Sequence, residues 1–248
     1  NGGPLTFSWS AVDSGGTANG GVNTLNESLT VTITAVNDAP LRTAGTVANL
    51  TVLEDAATTS LGLSTLAYGS GGGIDEAAQT STYTVTAVPA AVLGNITLAD
   101  GTTAVTASTS YSLAQLRGMM FKASPNANGG PLTFSWSVVD SGGTANGGVN
   151  TLNESLTVTV TAVNDAPSGL AATMFTAINE DAFSSAGKLV SDFTASTVDA
   201  DAGALKGIAI TGANNTNGQW QYALDGSSWV NVGTVAPTSA LLLPSDAT

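Results

Sequence analysis

The apolar positions of this chain fall on every second residue, in short runs. Leu156, Val158, Val160 and Ala162 alternate with Thr157, Thr159 and Thr161; Leu132, Phe134, Trp136 and Val138 alternate with Thr133, Ser135 and Ser137. A period of two marks a strand with one face buried and one face wet. Further strand signals cover 47–53, 81–88, 95–98, 103–106 and 119–123. Turn residues separate them, among them Gly71 to Gly73, Asp100-Gly101 and the run from Asn126 to Pro131. One stretch, Ser112 to Met120, places Leu113, Leu116 and Met120 on a shared helical face and predicts a single helical turn. Short strands punctuated in this way predict an all-β protein built as antiparallel β-sandwiches.

The pattern also repeats over a longer distance. Residues 1–40 and 128–167 carry the same forty-residue text and differ only at Ala11/Val138 and Ile33/Val160. Such identity at a fixed offset makes the chain a tandem array. The first segment, 1–40, has two strand signals, Leu5-Phe7-Trp9 and Leu29-Val31-Ile33. Two strands cannot bury a core alone, so 1–40 reads as the C-terminal part of an incomplete module. Residues 41–167 form one whole module, and 168–248 form the N-terminal part of a further one. In that last part Glu180-Asp181-Ala182 matches Glu54-Asp55-Ala56, and Trp220-Gln-Tyr222 and Ser228-Trp-Val230 flank the turn signal at Asp225-Gly226. With modules cut at both ends, the text reads as a window from a longer chain, or as a chain whose copies complete each other head to tail.

Charge narrows the partners. Five basic residues stand against eighteen acids, for a formal net charge of −13. Nucleic acid and anionic membrane surfaces both select clustered positive charge, so neither is an expected partner. There is no cysteine and no histidine, which removes disulfides, thiol chemistry and the commonest general base. No run approaches the length of a membrane span. An enzyme is not expected: a glycosidase needs two carboxylates across a cleft, whereas Asp199 and Asp201 are two residues apart in one loop. The four tryptophans, Trp9, Trp136, Trp220 and Trp229, read as core or strand-face residues ahead of sugar platforms.

The acids gather at particular module positions. Asn37-Asp38 and Asn164-Asp165 lie at the boundaries before Pro40 and Pro167. Glu54 and Glu180 lie near module starts, Asp75-Glu76 and Asp199-Ala-Asp201 in mid-module loops, and Asp140 late in the repeat. Asparagines and carboxylates converging from several loops suit Ca²⁺, which takes six to eight oxygen ligands at flexible geometry, and suit Mg²⁺ or zinc less well. As an ordinary alternative, Asn-Asp-Ala-Pro and Asp-x-Asp-Ala-Gly each make good turns without metal.

The run Val-Val-Asp140-Ser-Gly-Gly, a spacer, then Leu-Thr-Val-Thr-Val-Thr-Ala-Val-Asn164-Asp165-Ala-Pro167 resembles the bacterial cadherin-like, Ig-like repeats of large secreted RTX-type adhesins. The resemblance implies tandem Ig-like sandwiches joined by short linkers, an extracellular or cell-surface location, and Ca²⁺ bound between modules. Carried onto this sequence, it implies Asn37, Asp38, Asp75 and Asp140 at the first junction, with a glutamate of the module upstream and Glu76 as a substitute for the acid absent at Gly73. At the second it implies Glu54, Asn164, Asp165, Asp199 and Asp201, with Glu180 as the corresponding early glutamate of the last module. Ala35 and Ala162 stand where that family has its first linker aspartate, and Gly73 where it has the first acid of Asp-x-Asp, which implies fewer or weaker ions. The leading expectation is therefore a non-catalytic spacer or adhesion array. A filament subunit assembled by β-strand complementation and a carbohydrate-binding module remain alternatives, with neighbouring modules, other copies of the chain or surface glycans as partners.

Overall fold

The structure, a computed structural model, describes residues 3–169, 175–182 and 185–248. Strands dominate the described residues, with two short α-helices and brief 3₁₀ turns; the protein is all-β. The chain divides into two compact units, 1–161 and 162–248.

In the first unit the strands are β1 (Leu5–Val12), β2 (Thr24–Val31), β3 (Leu41–Ala44), β4 (Leu50–Leu53), β5 (Thr59–Ser60), β6 (Ala67–Gly69), β7 (Ser81–Ala87), β8 (Gly94–Thr97), β9 (Thr109–Tyr111), β10 (Met120–Ala123), β11 (Gly129–Asp140) and β12 (Thr151–Thr161). A five-stranded sheet runs β4-β12-β11-β7-β9, and a three-stranded one runs β5-β10-β8. All pairings in them are antiparallel except β4 with β12. The alternation read from the sequence decides what lies between them. Phe134, Trp136, Val138, Leu156, Val158 and Val160 of the larger sheet share one buried core with Ile96 and Phe121 of the smaller, joined by Leu63, Leu66, Leu116 and Met119. The polar partners Thr133, Thr157 and Thr159 take the other face, as the pleat requires. Inside the core the Trp136 indole N–H donates to the Tyr68 hydroxyl at 3.1 Å, so the buried ring keeps a partner for its one polar atom. The register of β11 on β12 shifts between Gly129 and Leu132, where Pro131 has no N–H to give the ladder.

The helical turn expected near Ser112 is α1 (Leu113–Arg117), opened by a capping box. The Ser112 hydroxyl accepts from the Gln115 N–H and the Gln115 side chain accepts from the Ser112 N–H. The expected strand at 103–106 does not form; only Ala104 makes a single bridge, to Thr97, after the Asp100 turn. Strands β3, β5, β6 and β9 are two to four residues long and give too little alternation to be read beforehand.

The hairpin β1–β2 has the same register as β11–β12: Phe7 faces Leu29 as Phe134 faces Leu156. Its surroundings are the opposite. Every residue of β1 and β2 is exposed, Phe7 at 63 % against 0 % for Phe134.

The second unit holds α2 (Val190–Thr194), β13 (Gly207–Ile210), β14 (Gln221–Tyr222), β15 (Val230–Asn231) and β16 (Leu241–Pro244). β13 pairs with β16 and β14 with β15, all antiparallel. Its small core is Val190, Leu243 and Ala247, with Ile208, Ile210, Tyr222 and Leu241 half-buried against it. The turn between β14 and β15 is the one the sequence marks: Asp225 accepts the Ser227 and Ser228 N–H groups at 2.9 and 2.6 Å.

Candidate cation site at the first repeat boundary

Asp140 is the last residue of β11, and its Oδ1 accepts the Gly142 N–H at 3.0 Å, an Asx turn that reverses the chain. Asp13 does the same with Gly15 at 2.8 Å. That much is the ordinary turn role of Asp-Ser-Gly-Gly. The boundary residue Asn37 adds to it at Asp140. Its Nδ2 donates to Asp140 Oδ1 at 3.1 Å and to the Val149 carbonyl at 2.6 Å, and its Oδ1 accepts from Gln79 Nε2 at 2.7 Å. Its own carbonyl accepts the Val149 N–H at 2.9 Å. A side chain on Gly142 would run into the Asn37 amide, so the glycine after Asp-Ser is what lets the boundary segment lie against this turn.

Glu76 anchors the next residue. It ends the 3₁₀ turn Ile74–Glu76 and is 3 % exposed. One carboxylate oxygen accepts the Asp38 N–H and the other the Gly72 N–H, each at 2.7 Å. A Cβ on Gly72 would overlap that carboxylate, and one on Gly71 would overlap the Ala39 carbonyl. The glycine run 71–73 is therefore space for the boundary peptide as much as a turn signal. The side chains of Asp38 and Asp75 are exposed, and among the described residues no three acids converge at this boundary.

At this boundary two buried oxygens, Asp140 Oδ2 and Gln79 Oε1, accept no hydrogen bond from the described residues, and both belong to side chains that hold Asn37. Asp140 is 6 % exposed, and no lysine or arginine among the described residues forms an ion pair with it. A buried carboxylate oxygen without donor or counter-ion is costly. The local donor set is carboxylate and amide oxygen, which fits a hard cation such as Ca²⁺ and not a metal that seeks nitrogen or sulfur.

The remaining expected residues divide between the units. In the first, Glu54 is buried; its N–H donates to the Thr161 carbonyl at 2.9 Å and its carboxylate accepts from Asn128 Nδ2 at 3.2 Å. In the second, the Asp165 N–H donates to Asp201 Oδ2 at 2.8 Å and the Asp201 N–H to Asp199 Oδ1 at 2.9 Å. Oxygens of the Asp165 and Asp201 carboxylates lie within 4.8 Å of each other. Asn164 donates to the Asp165 carbonyl at 3.0 Å, and Glu180 is exposed. Gln79, which the sequence reading passed over, donates to the Asn37 amide oxygen whose Nδ2 donates to Asp140. Nothing could have marked it beforehand, since the position 126 residues further on is Leu205.

Trp136 is core, while Trp9, Trp220 and Trp229 are partly exposed. No helix among the described residues is long and apolar enough to cross a membrane. No protein-family model matches the chain, and no curated protein sequence matches it.

Proposed function

We propose that this chain is a non-catalytic stretch of an extracellular spacer or adhesion array, made of cadherin-like, Ig-like β-sandwich modules whose boundaries are stiffened by Ca²⁺. The observation that carries the reading is Asp140: a buried carboxylate at a repeat boundary, clamped by Asn37, with an oxygen that accepts no hydrogen bond among the described residues. Ca²⁺ there would neutralise the carboxylate and use oxygens of Asp140 and Gln79. Asn37 and Glu76 already tie the boundary peptide to the module and fix the direction in which the chain leaves it. Asn164, Asp165, Asp199 and Asp201 are the proposed ligands in the second unit. The low charged content and threonine-rich wet faces support a surface spacer.

The test is thermal unfolding of the whole chain with Ca²⁺, with equal Mg²⁺, and with EGTA. Binding to the folded state alone raises stability by mass action, about 2.7 kcal/mol at a hundred times Kd. A rise in Tm with Ca²⁺, absent with Mg²⁺ and reduced in Asp140→Asn, supports the reading. Identical melts in all three buffers overturn it.

A further inference from the structure

The sequence carries the acceptor pattern Asn-x-Ser/Thr five times, at Asn26, Asn49, Asn95, Asn153 and Asn214. The first four belong to strands. Asn26 and Ser28 lie in β2, Asn95 and Thr97 in β8, and Asn153 and Ser155 in β12, while Asn49 leads into β4, which holds Thr51. In an extended chain the residue two positions on shares the face but sits about 6.6 Å further along, so the hydroxyl does not meet the amide. Three of these sites are also engaged or closed. Asn26 Oδ1 accepts the Ser10 hydroxyl at 2.5 Å, Asn49 Oδ1 accepts the Thr157 N–H at 3.0 Å, and Thr97 is buried.

Asn214 differs. It lies in the exposed connection 211–220 between β13 and β14. There the chain folds into an Asx turn, and the Thr216 N–H and the Thr216 hydroxyl both donate to Asn214 Oδ1, at 2.9 and 2.6 Å. A backbone N–H can only donate, so its partner is the amide oxygen, and Nδ2 is the free end of the side chain. Trp220 fixes the turn from both sides. Its N–H donates to Asn215 Oδ1 and its indole N–H to the Asn214 carbonyl, each at 3.1 Å. The indole itself packs on the Phe175 ring, 5.3 Å between centroids.

We propose that Asn214 is the position at which the folded chain accepts an N-linked sugar, delivered by a transferase from a hexose activated on a nucleoside diphosphate. An amide nitrogen is a poor nucleophile because its lone pair is delocalised into the carbonyl. Loss of an Nδ2 proton to a base of the transferase gives the imidate, with its charge on Oδ1. The two Thr216 donors hold that charge more strongly than they hold the neutral oxygen, so the turn favours the reactive form. The nitrogen pair then bonds to the anomeric carbon of the hexose. The bond from that carbon to the diphosphate oxygen breaks, its electron pair leaves with the nucleoside diphosphate, and the Oδ1 charge returns to the carbonyl. Thr216 thus supplies the donors, and Trp220 is a positioning residue that holds the turn. The acceptor site involves no cation and neither repeat boundary, so it stands apart from the calcium reading.

The experiment incubates the folded whole chain, in EGTA, with UDP-glucose and a soluble asparagine N-glucosyltransferase, and follows intact mass and peptide maps with time. The wild type should gain one hexose, mapped to Asn214, while Asn26, Asn49, Asn95 and Asn153 stay unmodified. Asn214→Gln should gain none. Thr216→Ala should slow the addition by about tenfold or more, the worth of one hydrogen bond to a charged acceptor. Thr216→Ser keeps the hydroxyl and should restore the wild-type rate. Trp220→Phe keeps a ring and loses the indole N–H; it should slow modification of Asn214 without opening the other four positions, which a general loosening of the fold would expose. Far-UV circular dichroism checks that each variant is folded. A folded chain that gains no hexose overturns the proposal. So does one modified at Asn153 as readily as at Asn214, or a Thr216→Ala variant that reacts as fast as the wild type.

Discussion

Phe7 and Phe134 occupy the same place in the same text, one exposed and one fully buried, so each serves as the other's control. Truncating Phe134 to alanine removes a ring packed between the two sheets and leaves a cavity; such changes cost about 3–5 kcal/mol. For a folding unit of this size each kcal/mol lowers Tm by about 2–4 °C, so Phe134→Ala should lower the first unit's Tm by on the order of 10 °C. Phe7→Ala, measured at dilutions where the chain is monomeric, removes a ring that already meets water and should cost less than about 0.5 kcal/mol. The assay is thermal and urea unfolding combined with native-state hydrogen exchange read by mass spectrometry. The peptides Leu5–Val12 and Leu132–Val139 differ only by Ala11 against Val138, so mass tells the two copies apart. In the wild type the second should be protected to the global free energy and the first should not. Equal losses from the two substitutions under monomeric conditions, or equal protection of the two peptides, would refute the assignment of core and open face.

Glu76→Gln should destabilise by about 1–3 kcal/mol, because an amide has one acceptor oxygen where two N–H groups, those of Asp38 and Gly72, each hold a carboxylate oxygen; faster exchange confined to these two amides is the specific readout, and an unchanged melt sinks the idea. Asp100 is held down to about 2 by the Thr103 hydroxyl and by the Thr102 and Thr103 N–H groups, from an ordinary value of 3.8. A carboxyl lowered in the fold favours folding fully above its unfolded pKa, and that contribution is lost as pH falls from about 4 towards 2. Asp100→Asn should flatten the acid limb of a Tm-against-pH curve in that window, and an unaltered limb counts against the turn's contribution. The Tyr68 hydroxyl is pushed up by burial, against the opposing hydrogen bond from Trp136. Its contribution is intact below 10.0 and is lost as pH rises through the raised value, so Tyr68→Phe should reduce alkaline sensitivity above pH 10.

The long strands of the repeat were legible because one residue in two is apolar over eight or more positions, and that pattern has a single physical solution. The turn residues Asp100 and Asp225 were legible for a local reason: each side chain caps backbone N–H groups two and three residues on. What stayed hidden was long-range. The threonines at 103–106 have strand propensity, but the Asp100 turn draws the N–H groups of Thr102 and Thr103, and Leu98 N–H takes the Thr103 carbonyl. Asp38 was legible as a boundary residue, yet its fixed contact is its backbone N–H on Glu76, 38 positions away. Gln79 bears on the candidate site only through Asn37, a neighbour that sequence distance conceals.

The near-identity of the two hairpins also sets a problem of timing at the ribosome. When residues 41–128 emerge, β1–β2 has already been made, while the rightful occupant of their open slot still needs the codons up to Thr161. At about 5–20 residues per second that gap lasts seconds, against microseconds for a hairpin to form. The earlier copy is thus a ready-made impostor. One of the two differences between the copies lies where an impostor would be penalised: Ala11 would stand in the slot of fully buried Val138. Two missing methyl groups and the void they leave cost about 2 kcal/mol, roughly a thirty-fold preference for the later hairpin. A single small residue thus makes the earlier copy the poorer fit for that slot.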